Sequence, residues 1–201
     1  MNKTYPDIER RRKRRKRRVT LIAIYVAIAI CLAWFFESQA TTTIIFVRHA
    51  EKLTEPADDP GLSAAGVRRA EELTRQLVDA DVIQGIDAIY ATPFRRSQET
   101  AQPLAAALNL PITSYEPDDN NAVLNDILAK HKGKIVLVIG HSNTLPTLIA
   151  DLGASKRVPP IAEDEYDNLY LVSIPWFGKT KTIRLRYGEP YGSQGTAILQ
   201  E

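Results

Sequence analysis

Cysteine is almost missing from this chain. Cys31 is the only one in 201 residues, which excludes an intrachain disulfide and a cysteine-based metal cluster. Histidine is also scarce, with three residues, so a site that gathers two of them has used most of the supply. No internal repeat is found. A basic face of the kind that tracks nucleic acid is lacking too, although the net charge is +2. Ten of the 26 Lys and Arg lie in the first 18 residues, beside Asp7 and Glu9. Beyond residue 18 there remain 16 basic and 22 acidic residues, so the body is mildly acidic and nucleic acid is not an expected partner. The length suits one ordinary globular domain plus a short extra segment.

That extra segment is N-terminal. Residues 1–18 form a basic segment that ends in an unbroken run from Arg10 to Arg18. Val19 to Phe36 follows without a charge, and as a helix it spans roughly 27 Å, close to the ~30 Å hydrocarbon core. The direct reading is one transmembrane helix over residues 19–36. The basic cluster on its N-terminal side holds that end in the cytoplasm and places the body outside. Ser38-Gln39-Ala40 offers a second reading, a signal peptide cleaved after Ala40, although the apolar run exceeds the usual signal-peptide core. The basic run also suits contact with anionic lipid headgroups.

From Thr42 onward, short apolar runs alternate with amphipathic stretches, as expected of an α/β domain with a mainly parallel sheet. Strands are predicted at Thr43 to Val47, Ile86 to Tyr90, Pro111 to Tyr115 and Ile135 to Ile139. Ser63 can cap a helix with an apolar face of Val67, Ala70, Leu73, Leu77 and Val78. Further helices are predicted from Phe94 to Leu108, Ala122 to Ala129 and Thr144 to Leu152. A hairpin over Asn168 to Ile174 and Thr180 to Tyr187 extends the sheet edge, and residues 189–201 read as a tail. The expected fold class is a three-layer α/β/α sandwich over residues 41–188, preceded by the transmembrane helix.

Two histidines occupy equivalent places. The first strand runs into Arg48-His49-Ala50-Glu51 and the fourth into Gly140-His141-Ser142-Asn143. In an open α/β sheet, ligands bind beyond the carboxyl ends of the strands. Another strand leads into Ala91-Thr92-Pro93-Phe94-Arg95-Arg96, where a helix N-terminus and its arginines are expected to form an anion site beside the histidines. Two histidines and two or three arginines at one mouth favour phosphate chemistry. A metal fits less well: no Asp, Glu or His set sits at ligand spacing around them, and Arg48 and Arg96 would repel a cation.

With these residues in view, the sequence resembles the histidine phosphatase, or phosphoglycerate mutase-like, superfamily. Arg48-His49-Ala50-Glu51 matches the family's Arg-His-Gly-Glu. Thr92 through Ala101 matches its Ser-x-x-x-Arg-x-x-x-Thr-Ala, and Gly140-His141 its second histidine. Gly61-Leu62-Ser63-Ala64-Ala65-Gly66 also looks like the family's segment that opens the first helix. The resemblance implies that His49 is the nucleophile and that Arg48, Arg96 and His141 hold the phosphoryl oxygens. Arg96 is preferred to Arg95 because it lies four residues after Thr92 and four before Thr100. Asn143 is a candidate substrate-binding residue, and no cofactor is implied.

In one place the chain departs from the family. Members with a clear proton donor carry a Glu on an inserted segment after the third strand. Here Tyr115-Glu116-Pro117-Asp118-Asp119 passes almost directly into a helix, as in short members that resemble bacterial phosphohistidine phosphatases. Glu116 and Asp118 are the candidate general acids, with helix capping by Asp118 to Asn121 as the competing role. Glu51 is expected to be structural. The expected activity is phosphatase action on a phosphorylated small molecule or envelope-linked substrate. The alternatives are a protein phosphohistidine phosphatase and a membrane-tethered phosphate-binding domain without turnover. Oligomeric state is left open.

Overall fold

The computed structural model describes residues 5–38, 41–78, 85–154 and 157–192. The chain divides into two units, residues 1–40 and 41–201.

The first unit is a single helix, α1, Tyr5–Ser38. The helix runs back through the basic segment as well as the apolar one, consistent with the good helix propensity of Arg and Lys. Its stretch Glu9–Phe36 is the one segment among the described residues that is long and apolar enough to cross a membrane. Its side chains are exposed throughout Glu9–Phe36.

In the second unit the elements follow as β1 (Thr41–Arg48), α2 (Ala64–Val78), β2 (Ala88–Ala91), α3 (Arg95–Leu108), β3 (Ile112–Ser114), α4 (Asn120–Lys130), β4 (Ile135–Gly140), α5 (Leu145–Asp151), β5 (Asn168–Pro175) and β6 (Lys181–Arg186). The sheet order is β3-β2-β4-β1-β5-β6. β3, β2, β4 and β1 run parallel, and β5 and β6 add an antiparallel edge.

The two-residue period of the strands builds the layers. Ile44 and Phe46 of β1 join Val136 and Val138 of β4 against Val123, Leu124 and Ile127 of α4 and Leu148 of α5. Their neighbours Ile45 and Val47 join Leu137 and Ile139 against Leu73 and Leu77 of α2 and Leu104 of α3. β1 and β4 are therefore apolar on both faces, as central parallel strands are. The expected sandwich with a mainly parallel sheet is the observed architecture.

Details differ where packing overrides pattern. Val67 and Val78, placed on the apolar face of α2, are largely exposed, and Gly66 is buried instead. Its backbone lies so close to the chain after β1 that a Cβ at residue 66 would sit 2.1 Å from the Glu51 carbonyl oxygen. β2 ends at Ala91, one residue later than expected, which brings Thr92 to the strand end. The part of the predicted tail from residue 193 lies outside the described residues.

Candidate functional site

Register places the two histidines together. β1 pairs with β4 in parallel so that Arg48 stands opposite Gly140, and the His49 amide donates to the Gly140 carbonyl at 3.0 Å. The next residue on each strand is a histidine. Their ring centroids lie 5.2 Å apart, and both side chains are buried.

His49 Nδ1 lies 2.8 Å from the Ala50 carbonyl oxygen. A carbonyl can only accept, so Nδ1 carries the proton and Nε2 keeps its lone pair. The segment behind the ring is fixed in turn. The Ala50 amide donates to Thr100 Oγ1, and the Ser63 amide donates to the Glu51 carbonyl. The Glu51 carboxylate accepts from Arg69 Nε at 2.8 and 3.0 Å, the structural role expected of it.

His141 is held by its neighbours on β2 and α3. Its Nε2 lies 3.0 Å from Thr92 Oγ1, whose hydroxyl also bonds Ser97 Oγ, and the Phe94 ring meets it edge-on. Burial, with Arg48 and Arg96 adding, pushes His141 down to about 4. Burial also dominates for His49, which is pushed down to about 3 despite the opposing Ala50 hydrogen bond, with His141, Arg48 and Arg96 adding to the effect. Both imidazoles are neutral at neutral pH.

Two guanidinium groups flank them. Arg48 Nη1 donates to the carbonyls of Ala162 at 2.7 Å and Glu165 at 3.2 Å, and its plane lies 4.2 Å from the Tyr166 ring centroid. Arg96 stacks 4.3 Å from the Phe94 ring centroid. Nε of each is buried without a hydrogen-bond partner among the described residues. A buried, charged donor in this state is suited to an anion.

Arg48, His49, Arg96, His141 and Asn143 all line one cleft of about 410 Å³. Asp118 lies on the same wall, whereas Glu116 is exposed and does not line it. The cap of α4 is Asp119, which accepts from the Ala122 amide at 2.9 Å and leaves Asp118 out of that role. Arg95 is exposed and pairs with Glu99.

The expected anion site at the start of α3 is altered in one respect. Asp59 occupies it: its carboxylate accepts from the Arg95 amide at 2.9 and 3.2 Å and stands 4.0 Å from Arg96 Nη1. The positive end of the helix attracts a carboxylate of the chain itself, so anion binding in the cleft falls to the side chains.

Sequence reasoning missed Glu163 and Tyr166, which also line the cleft. They belong to the connection from α5 to β5, which has no periodicity to place it. Its length was the available signal, because long connections without regular structure are commonly functional.

Comparison with known proteins agrees with this arrangement. The model of the histidine phosphatase superfamily (branch 1) matches residues 44–117. No curated protein matches. Among solved structures, the protein histidine phosphatase SixA complexed with tungstate aligns with a TM-score of 0.58 and 19% identity, over 72% of this chain and 96% of that one. A phosphoglycerate mutase from Plasmodium falciparum aligns with a TM-score of 0.56 and 17% identity, over 77% and 97%. A phosphoserine phosphatase from Entamoeba histolytica, in complex with 3-phosphoglyceric acid, gives 0.53 and 16%, over 74% and 97%. At such identities the structural likeness speaks to the fold. Together with the family match over residues 44–117 and with the histidines and arginines gathered at the strand ends, it supports a histidine phosphatase superfamily member whose domain resembles that of SixA.

Proposed function

We propose that this chain is a membrane-anchored phosphatase that hydrolyses a phosphoester or a pyrophosphate through a phosphohistidine on His49. The observation that carries the reading is the state of His49. Its Nδ1 proton is committed to the Ala50 carbonyl, its ring is neutral, and Arg48 and Arg96 flank it.

In the first step Nε2 of His49 attacks phosphorus, and the P–N bond forms as the bond to the leaving oxygen breaks. Arg48, Arg96 and His141 hold the equatorial oxygens, with Asn143 contacting substrate at the rim. The leaving oxygen takes a proton from a carboxyl group on the cleft wall, that of Asp118 or Glu163, which line the cleft where Glu116 does not. Water then attacks phosphorus and gives a proton to the carboxylate left by the first step, the P–N bond breaks, and His49 regains its lone pair. Binding of tungstate, an oxyanion, by the structural neighbour SixA supports an oxyanion as the ligand.

The membrane part rests on α1. Its charge-free run over 19–36, preceded by nine consecutive basic residues, supports a single span with the catalytic domain outside the cytoplasm. A second reading, a protein phosphohistidine phosphatase, is favoured by the short connection from β3 to α4, which carries no inserted segment. Phosphorylated proteins and small phosphoesters offered to the same preparation separate the two.

Rapid quenching during turnover of labelled substrate tests the central claim. Acid-labile label is expected on the wild-type chain and none on His49→Ala. Turnover by His49→Ala, or label on Ser142, refutes the assignment. A wild-type chain that binds phosphate but never acquires label is the tethered binding domain instead.

A further inference from the structure

The end of the sheet opposite the cleft has an unusual surface. β5 and β6 are joined through Trp176-Phe177-Gly178-Lys179, and Gly178 has a φ of 120°, which other residues rarely adopt. Trp176 is 62% exposed and Phe177 is 91% exposed. A solvated hairpin tip needs neither ring.

Two observations locate this tip. Pro175, just before it, stands opposite Thr41 in the β1–β5 ladder. Thr41 is where the domain joins the apolar helix, with Gln39 and Ala40 between it and Ser38. Beside Thr41, the Gly133 amide donates to Thr42 Oγ1, which ties the loop that carries Lys132 and Lys134 to the same corner. These lysines are exposed, as are Lys179 and Lys181. The nearby acids are engaged: Asp126 with Lys130, and Asp87 with the Ile135 amide. In a domain with an excess of acidic residues, four lysines and two exposed aromatic rings thus collect at the end of the sheet where Thr41 begins β1.

Aromatic rings at the level of lipid headgroups, with lysines reaching the phosphates, form the usual membrane-interface anchor. Resting on the reading that residues 19–36 span the bilayer, we propose that Trp176 and Phe177 insert into the headgroup region while Lys132, Lys134, Lys179 and Lys181 contact anionic lipid. From Thr41 to Arg48 the strand rises roughly 23 Å at about 3.3 Å per residue, so the tip and the cleft lie at opposite ends of the sheet.

The chain has two tryptophans, Trp34 and Trp176, so each can report alone. The full chain is reconstituted in vesicles of phosphatidylcholine and phosphatidylglycerol. In Trp34→Phe, emission from Trp176 is expected to be blue-shifted and largely quenched by lipids brominated near the headgroup, and less so by lipids brominated near the chain end. Replacing all four lysines by Gln is expected to relieve the quenching, and omitting phosphatidylglycerol to weaken it. Unquenched Trp176 emission, together with quenched Trp34 emission in Trp176→Phe, keeps the anchor and overturns the docked tip. A blue shift without lipid quenching also overturns it, in favour of a protein partner. If neither tryptophan is quenched, the spanning helix itself fails and the inference falls with it.

Discussion

Replacing Arg48 by lysine separates the charge of this residue from the shape of its guanidinium. Nη1 holds the loop carbonyls of Ala162 and Glu165, the plane covers Tyr166, and the buried Nε has no partner among the described residues. An ammonium keeps the charge, but its three donors share one nitrogen and cannot reproduce the separation of Nη1 on the loop from a second nitrogen for a phosphoryl oxygen. If one charge-assisted hydrogen bond to the phosphoryl group is lost, the cost is about 1.5–3 kcal/mol. Read as transition-state stabilisation, that is a fall of roughly 10- to 150-fold in kcat/KM. A loop carbonyl left without its donor removes a further ~1–3 kcal/mol of stability, or roughly 2–12 °C in Tm for a domain of this size. Hydrolysis of an aryl phosphate and thermal unfolding of the same detergent-solubilised preparation measure the two effects. If Arg48→Lys matched the wild type in both, the assignment of Arg48 as a link between loop and phosphate would be refuted.

The pH profile follows from His49, whose ordinary value of 6.5 is pushed down to about 3 in the fold, chiefly by burial. The nucleophile stays neutral as pH falls, so kcat/KM, corrected for substrate ionisation, should hold from pH 7 to about 4; an acid limb near 6.5 would contradict this. Stability runs the other way: the unfolded chain takes up the proton near 6.5 and the folded one near 3, so a destabilisation on acidification through that window should appear in unfolding curves. Asp118→Asn and Glu163→Gln should spare aryl phosphates and slow alkyl phosphates by up to ~10²–10⁴-fold if the altered residue is the general acid. Equal rates across leaving groups in both variants would place the acid elsewhere. A reporter fused after Glu201 should be active only in its exported form, and cytoplasmic activity would reverse the orientation proposed for residues 19–36.

Much of the site was legible because three short motifs each follow a strand. The spacing of Thr92, Arg96 and Thr100 has a physical meaning in the fold. Thr92 touches His141, Arg96 lines the cleft, and Thr100 holds the Ala50 amide behind the nucleophile. Thr92 follows β2, Arg96 and Thr100 lie four apart on one face of α3, and the three do their jobs at one corner. The loop over Arg48 was not legible, because its contacts with Arg48 span 114 and 117 positions and no local periodicity announces them. Asp59 escaped for a similar reason: it meets α3 across a loop that no pattern positions. The exposure of Val67 and Val78 reflects tertiary packing, in which the close approach of Gly66 to Glu51 decides which side of α2 turns inward.

That close approach gives the family signature a hidden member. Alanine in place of glycine inside a helix is ordinarily an improvement by ~1 kcal/mol, and by sequence Gly66→Ala would pass as benign. Here the added methyl would collide with the Glu51 carbonyl, two residues from His49, and the obstacle is backbone that no rotamer change can clear. The segment it would displace carries the Ala50 carbonyl that sets the tautomer of the nucleophile. A relative could therefore keep every histidine and arginine of the motifs and still lose its lone pair to the wrong nitrogen. Sorting active from silent members of such a group by catalytic residues alone would miss it, and the residue to inspect is a glycine on a helix that never touches substrate.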